Sequence, residues 1–257
     1  MILEAYAPQI PVFTLPMKKS HLLLVAFAGL FASCATPPGN VPSSSGRDAL
    51  GHRPGPKGFR TVVIDAGHGG EDSGARSPST GDFEKNLTLD VARRVQRHLA
   101  GQFRTVMMRD GDAFVDLDDR VAKASQYGDA VLVSIHFNSG PSHLRGPETY
   151  YWRVDSYSLA RRVQRKLESL AGTSERGLVR RRLRLTRNPE IPSILAECGY
   201  ISNADEARFA SDSSYRGRIA GAIASAIREQ AALGDEGAGP LPPPLNAPLS
   251  RATDAPE

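Results

Sequence analysis

Short apolar runs alternate with longer amphipathic segments through the middle of the chain. Runs of β-branched, aromatic and other apolar residues that are too short for typical helices predict strands. Five such runs occur before the last helical pattern, and we expect them to pair into one sheet. The predicted strands are Thr61–Asp65, Thr105–Met108, Ala130–His136, Glu148–Trp152 and Ser193–Cys198.

The segments between these runs carry apolar residues at helical spacing. In the clearest case an apolar residue recurs every fourth position from Leu87 to Leu99, and Gly101 follows as a stop signal. The resulting β-α-β order predicts an α/β fold, a single domain with a largely parallel or mixed central sheet flanked by helices on both faces. The predicted helices are Leu87–Leu99, Leu117–Tyr127, Ser158–Leu170 and Tyr215–Leu233.

Segments rich in proline, glycine and serine lie on both sides of this periodic region. Residues 35–58 have no apolar periodicity and predict a flexible linker. Residues 234–257 have the same character and predict a disordered tail. Residues 59–233 remain for one folded domain, which is long enough to bury a substantial core.

The first 34 residues have the layout of an export signal if translation begins at Met17. Two lysines follow Met17, and Leu22–Ala32 forms an apolar stretch. That stretch is well short of the roughly 20 residues that a membrane-spanning helix needs. Gly29–Cys34 resembles a bacterial lipobox, which predicts a lipid anchor at Cys34 and a place on the periplasmic side of the outer membrane. The alternative is an ordinary secretory signal and a soluble periplasmic or secreted protein.

Composition narrows the class of protein without naming a function. With 40% hydrophobic and 23% charged residues among 257, the chain is ordinary for a globular protein that forms a packed core. The formal net charge of +4 favours anionic surroundings without choosing among them. The chain has two cysteines. If Cys34 is lipidated, Cys198 has no disulfide partner, and we interpret it as a small core residue.

Three residues that can bind a metal or move a proton stand at or near the ends of predicted strands. His68 follows the first strand, His136 closes the third, and Glu197 lies near the end of the fifth. Functional groups gather at the carboxyl ends of strands in open α/β sheets, so we expect one sheet edge to collect them. Glu84 lies on a predicted loop after the first strand, from which it could fold back over the same edge.

Two histidines and a carboxylate are a ligand set used for catalytic zinc, which keeps a fourth position for water. A further carboxylate then suits a general base, because zinc lowers the pKa of its water towards about 7. Each residue alone also has a structural interpretation as a hydrogen-bonded or solvated side chain. Glycines around His68 clear side-chain bulk, yet the pattern alone leaves both interpretations open.

Other chemistries find less support. The stretch "GHGGEDSG", residues 67–74, lacks both the Lys-Ser/Thr end of a phosphate loop and the G-x-G-x-x-G spacing of a dinucleotide fold. The chain contains no G-x-S-x-G serine elbow. A thiol nucleophile at Cys198 would lack a basic neighbour in sequence. We therefore expect neither a nucleotide cofactor nor a serine or cysteine nucleophile.

Four blocks of sequence resemble the zinc-dependent N-acetylmuramoyl-L-alanine amidases of the amidase-3 type, which are bacterial cell-wall hydrolases. They follow the family's order with similar spacing, and the resemblance covers about Thr61 to Phe209. The sequence departs mildly from the family at Ala66, where proline is common, and at Phe137, where alanine is usual. The blocks are "DAGHGGEDSGA" (65–75), "EKN" (84–86), "VSIHFNS" (133–139) and "ILAECGYISN" (194–203).

The resemblance implies that His68, Glu84 and His136 bind Zn²⁺ and that Glu197 is the catalytic carboxylate. It implies hydrolysis of the amide between N-acetylmuramic acid and the L-alanine of the stem peptide in peptidoglycan. Two alternatives stay open: a zinc peptidase that cuts within the stem peptide, and a non-catalytic wall-binding lipoprotein. We expect peptidoglycan as the partner, no nucleic acid, no membrane contact beyond a lipid at Cys34, and a monomer.

An arginine-rich run, residues 176–192, precedes the last predicted strand. It holds six arginines in "RGLVRRRLRLTRNPEIP". One interpretation is a solvated face of the domain. The other is that some of these guanidinium groups bind carboxylates of the stem peptide near the cleft, which explains local basicity better than nucleic-acid binding by an exported protein.

Overall fold

The computed structural model describes residues 55–171 and 176–242. The predicted signal segment, the lipobox at Cys34 and most of the predicted linker lie outside the described residues, as does the tail from residue 243. Among the described residues, no helix combines the length and the apolar character that crossing a membrane requires.

A six-stranded mixed sheet forms the centre of the domain, in the order β2-β1-β3-β6-β4-β5. The four strands β2, β1, β3 and β6 run parallel, β4 runs antiparallel to β6, and β5 is parallel to β4. This confirms the predicted α/β class and the mixed sheet. The strands are β1 Thr61–Ala66, β2 Arg104–Met107, β3 Ala130–Asn138, β4 Glu148–Tyr151, β5 Gly177–Arg180 and β6 Ser193–Tyr200.

Within the part of the chain that the structure describes, six helices connect and cover these strands. A short 3-10 turn, Val154–Ser156, leads into the third of them. The apolar spacing predicted four of the six within a few residues. The helices are α1 Glu84–Leu99, α2 Leu117–Ser125, α3 Tyr157–Ala171, α4 Arg184–Arg187, α5 Ala204–Ser211 and α6 Ser213–Leu233.

The two faces of the sheet bury cores of different size. On one face, apolar residues of the central strands pack with α1, α3 and α6 in the larger core. On the other face, a smaller core includes Val63 and Leu132 with residues of α2 and α4. Successive side chains of a strand point to opposite faces. Asp65, His136 and Glu197 therefore share the second face, where the smaller core leaves room for polar chemistry.

The structure differs from the sequence predictions in two segments that matter for function. Glu84 does not lie on a loop but is the first residue of α1, which begins three residues before the apolar repeat. The arginine-rich run contains strand β5 and helix α4, which were not predicted. Each has four residues, so neither carries enough apolar periodicity to be recognised.

Packed contacts extend slightly beyond the predicted domain limits of residues 59 and 233. Near the start, the backbone N–H of Gly55 donates to Asp235 at 2.8 Å, and that of Gly58 donates to the carbonyl of Ala231 at 2.8 Å. Near the end, buried Arg162 donates to the carbonyl of Gly234 at 2.8 Å. The two ends of the domain thus pack against each other.

Candidate metal centre and active site

His68, Glu84 and His136 form a cluster of ligating side chains at the carboxyl end of the parallel strands. One ligand atom from each lies within 4.8 Å of the others. Glu84 Oε1 is 3.1 Å from His68 Nε2 and 3.0 Å from His136 Nδ1. The structure therefore brings together the three residues that the sequence suggested as metal ligands.

The ends of β1 and β3 place the two histidines side by side. The paired register carries Ala66 opposite Ile135, so His68 and His136 follow at the same edge of the sheet. Their rings meet edge to face with centroids 4.9 Å apart. Gly67 makes this approach feasible, because a Cβ at that position would lie 2.3 Å from the His136 ring.

Glu84 reaches the histidines from the start of α1. Its Oε1 accepts a hydrogen bond from the backbone N–H of Phe137 at 3.1 Å, and its Oε2 accepts one from Ala75 at 3.0 Å. Burial favours the neutral acid, but hydrogen bonds from His136 and His68 outweigh it and hold the pKa of Glu84 far below its usual range. Its position in the first helical turn further favours the negative charge.

His68 occupies left-handed backbone conformation, with φ of 61°. A non-glycine residue held there costs on the order of 1–3 kcal/mol and persists only where its surroundings fix it. Two arginines supply that constraint. Arg120 donates to the His68 carbonyl at 2.9 Å, and Arg109 donates to the Gly67 carbonyl at 2.9 Å.

Arg120 is itself held by a buried carboxylate. Asp65, with no exposed surface, pairs with the Arg120 guanidinium and accepts a hydrogen bond from Ser134 at 2.7 Å. Arg120 Nη1 also donates to the carbonyl of Ala66 at 3.0 Å. The ion pair thus lies directly beneath the turn that carries His68, and we interpret its role as fixing that turn.

Asp72 orients the His68 ring from the side opposite Glu84. Its Oδ2 is 2.8 Å from His68 Nδ1, which leaves Nε2 directed at Glu84. Burial acts to raise the pKa of Asp72, but hydrogen bonds from Gly74 and His68 outweigh it and lower that pKa. Gly74 has φ of 62°, and a Cβ there would lie 2.6 Å from the His68 ring. A carboxylate behind a histidine in this way is a common feature of metal sites.

Glu197 stands beside this cluster on β6. It pairs with His136 across β3 and with Glu148 across β4, so the three side chains form one row on the second face of the sheet. Glu148 is buried and accepts hydrogen bonds from the hydroxyls of Tyr150 and Tyr200. Burial and the adjacent Glu148 carboxylate raise the pKa of Tyr200 to about 12, so its hydroxyl stays protonated as a donor.

Comparison with known proteins assigns the chain to a family. The family described as N-acetylmuramoyl-L-alanine amidase matches residues 62–229, which is more than half of the chain. The chain belongs to this family. The resemblance inferred from the four sequence blocks is thereby confirmed.

Individual relatives of the amidase agree with the family match. The chain is 35% identical over 191 residues to N-acetylmuramoyl-L-alanine amidase LytC of Bacillus subtilis, covering 72% of this chain and 38% of LytC. It is 39% identical over 173 residues to the uncharacterised protein YqiI of the same species, covering 65% of this chain and 83% of YqiI. LytC is therefore much longer than the region shared with this amidase.

Solved structures show the same fold. The catalytic domain of CwlV, an N-acetylmuramoyl-L-alanine amidase from Bacillus (Paenibacillus) polymyxa, superposes with a TM-score of 0.64 at 36% identity. The match covers 66% of this chain and 97% of that domain. An N-acetylmuramoyl-L-alanine amidase from Clostridium difficile gives a TM-score of 0.64 at 30% identity, covering 68% and 97% of the two chains.

Two cavities of the amidase meet at the histidine pair. The first, which we call the Phe114 cavity, has a volume of about 250 Å³. The second, the Glu197 cavity, has a volume of about 430 Å³. Both contain His68 and His136 in their walls, so the candidate metal cluster lies between them. The Phe114 cavity is also lined by Asp65, Asp72, Phe114, Val115, Asp116, Leu117 and Arg120. The Glu197 cavity is also lined by residues that include Glu84, Phe137, Tyr150, Arg181, Leu183, Leu195 and Glu197.

The arginine-rich run does not form a uniform solvated face. Arg184 and Arg187 are buried. Arg184 forms an ion pair with Asp118, and the guanidinium carbon of Arg187 lies 5.4 Å from the ring centroid of Trp152. Arg181 differs because it is exposed and lines the Glu197 cavity. The interpretation as a solvated face is therefore wrong for the two buried arginines.

Sequence reasoning missed several residues that shape this site. Asp72 lies four residues after His68 in the same glycine-rich loop, and that short separation was an available signal. Arg109 directly follows the predicted second strand and Arg120 lies in the predicted second helix, but nothing local connects them to the carbonyls of Gly67 and His68. Cys198 is buried as predicted, and burial raises the pKa of its thiol, which is consistent with a core residue.

Proposed function

We propose that this amidase uses Zn²⁺ to hydrolyse the amide between N-acetylmuramic acid and the L-alanine of the peptidoglycan stem peptide. His68, Glu84 and His136 would hold the metal, and Glu197 would act as the catalytic carboxylate. One observation carries the proposal. In this member of the amidase family, the cluster of His68, Glu84 and His136 lines the same cavity as a second carboxylate, that of Glu197.

The residues present fit zinc by their donor chemistry. Two imidazole nitrogens and one carboxylate oxygen are a ligand set of catalytic zinc sites, in which a fourth position stays open. The charge of Glu84 and the hydrogen bond between Asp72 and His68 prepare these ligands in the protein itself. Zinc, when bound, supplies Lewis acidity that polarises the carbonyl and lowers the pKa of a water.

Glu197 would move the protons of the reaction. Its carboxylate accepts a proton from the attacking water as the water oxygen bonds to the lactyl carbonyl carbon. It then returns that proton to the alanine nitrogen as the C–N bond breaks. Transfer of the remaining proton of the former water to the amine leaves a lactyl carboxylate on the glycan and an ammonium group on the stem peptide, so atoms and charge balance.

Location and organisation follow as further parts of the proposal. Peptidoglycan lies outside the cytoplasmic membrane, so the enzyme acts after export. We propose that residues 1–34 contain the export signal, that Cys34 carries a lipid at the outer membrane, and that residues 35–58 link the anchor to a monomeric catalytic domain, residues 59–233. Residues 234–238 pack against this domain, because Arg162 donates to the carbonyls of Gly234 and Glu236 and Ala238 is buried, so the proposed tail would begin after them.

Digestion of purified sacculi by the purified protein tests the proposed reaction. We expect release of intact stem peptides with a free L-alanine amine from unshortened glycan, as measured by product mass. A chelator should stop this release, and added Zn²⁺ should restore it. Shortened stem peptides would instead indicate a zinc peptidase, and an absence of any cleavage would indicate a wall-binding lipoprotein.

A further inference from the structure

The two cavities flanking the histidine pair differ in chemistry, and this difference assigns a direction to the substrate. Resting on the proposed amidase function, we propose that the lactyl and sugar part of the substrate occupies the Phe114 cavity. The stem peptide occupies the Glu197 cavity, where Arg181 binds one of its carboxylates. The scissile amide then lies between them, next to His68 and His136.

The two sides of the scissile amide bond differ in their chemistry. Its carbonyl carbon belongs to the lactyl group, and its nitrogen belongs to the peptide. The nitrogen must receive a proton to leave as an amine, so the proton donor has to stand on the peptide side. Glu197 lines the second cavity, which therefore receives the peptide.

Arg181 gives the Glu197 cavity a group suited to a peptide carboxylate. It follows the last residue of β5, and its backbone N–H donates to the Tyr151 carbonyl at 2.9 Å, which anchors its base. Its guanidinium carbon lies 5.4 Å from the ring centroid of Tyr150. The Tyr150 hydroxyl is in turn bound to buried Glu148. Stacking on a fixed ring limits the freedom of Arg181 and prepares it for a charge-assisted bond.

Phe114 gives the other cavity a surface suited to a sugar. Phe114 is 51% exposed, and Val115 and Leu117 line the same cavity. The apolar face of a pyranose ring can pack against an exposed aromatic ring. The carboxylates of Asp72 and Asp116 in the same wall disfavour an acidic peptide there. The backbone of Phe114 packs closely against Gly70, which places this residue next to the His68 loop.

Three soluble substrates separate the two halves of the proposal. The first is a muramyl peptide with free carboxylates. The second is the same molecule with its peptide carboxylates amidated. The third is an N-lactoyl peptide with free carboxylates but no sugar. Steady-state KM and kcat are measured for the zinc-loaded protein and for the variants Arg181→Gln and Phe114→Ala.

Each variant should bind less tightly only those substrates that carry the group which the replaced side chain contacts. Arg181→Gln should raise KM by about tenfold for both acidic substrates, with a much smaller change for the amidated one. Phe114→Ala should raise KM by about fivefold for both muramyl substrates, with a much smaller change for the N-lactoyl peptide. Arg181→Lys and Phe114→Tyr should recover part of the loss, since they keep the charge and the ring.

Matched controls come from elsewhere on the surface. Arg97→Gln removes the same charge from an exposed position of α1, and Phe209→Ala removes a phenylalanine that is 54% exposed on α5. Neither should change the preference among the three substrates. Thermal unfolding of every variant should match the parent, which excludes loss of fold as the cause of a raised KM.

Two results would overturn the proposed direction. One is an exchanged pattern, in which Phe114→Ala affects only acidic peptides and Arg181→Gln affects only substrates with the sugar. The other is a parent protein that cleaves all three substrates with equal kcat/KM. The proposed function would survive both results, because it fails only if the parent releases no free alanine amine from any of them.

Discussion

The two sides of the cleft are built from the same kinds of residue in different ways. On the His68 side, the guanidinium groups of Arg109 and Arg120 are buried and donate to backbone carbonyls of the turn. On the opposite side, Arg181 is exposed and stacks on Tyr150. Arginine therefore fixes the main chain on one side and faces the substrate space on the other.

The difference follows from what each side must hold. His68, which we propose as a metal ligand, has to be kept in place against backbone strain, and buried bonds to several carbonyls do this with little freedom left. A group that binds part of a polymer needs to be reached from solvent, so it is fixed only at its base. We expect substitutions on the His68 side to lower the free energy of unfolding or the affinity for the metal. Substitutions on the other side should change turnover and substrate affinity.

The largest effect should come from Glu197→Gln. The side-chain amide of glutamine cannot accept the proton of the attacking water, so we expect kcat to fall by about 10²–10⁴-fold. The zinc content, measured by atomic emission after dialysis, should stay at the parent level, because the ligand cluster is on other residues. Glu71→Gln, an exposed change in the His68 loop, serves as the control and should leave kcat unchanged. Parent-level wall hydrolysis by Glu197→Gln would refute the assigned role.

Next in size is the loss of the buried ion pair beneath His68. Arg120→Met leaves the Asp65 charge buried without its counter-charge, so we expect the free energy of unfolding to fall by about 3–5 kcal/mol in urea titrations. The double variant Asp65→Asn with Arg120→Met should recover part of this loss, because the buried charge is then removed.

The same substitution on the other side of the cleft provides the comparison. Arg181→Met changes an exposed side chain and should alter the free energy of unfolding by only about 0.5 kcal/mol or less. Equal destabilisation by Arg120→Met and Arg181→Met would show that the two sides are not built differently.

A smaller effect is expected from Asp72→Asn. Asparagine no longer provides the negative charge behind the His68 ring, so zinc affinity should weaken by about 10–100-fold in competition with a chromophoric chelator. Asp110→Asn, an exposed change next to Arg93, should leave zinc affinity as it is. Unchanged affinity in Asp72→Asn would mean that Asp72 only shapes the loop.

Much of this site could be predicted because strand ends are visible in a sequence. His68 follows an apolar run, His136 and Glu197 lie at or near the ends of two others, and parallel pairing brings the ends of those runs to one edge. The support beneath them could not be predicted in this way. The left-handed backbone of His68 and the bonds from Arg109 and Arg120 depend on tertiary distances, and four-residue elements such as β5 carry too little periodicity to be recognised.

The hydrogen bonds of Glu84 bear on whether the domain needs its proposed metal in order to fold. Its carboxylate already accepts bonds from Ala75 and Phe137, and it contacts both histidines, so its charge is compensated within the protein. We therefore expect the domain to keep its fold when a chelator removes the proposed metal, unlike small zinc domains that unfold without their ion.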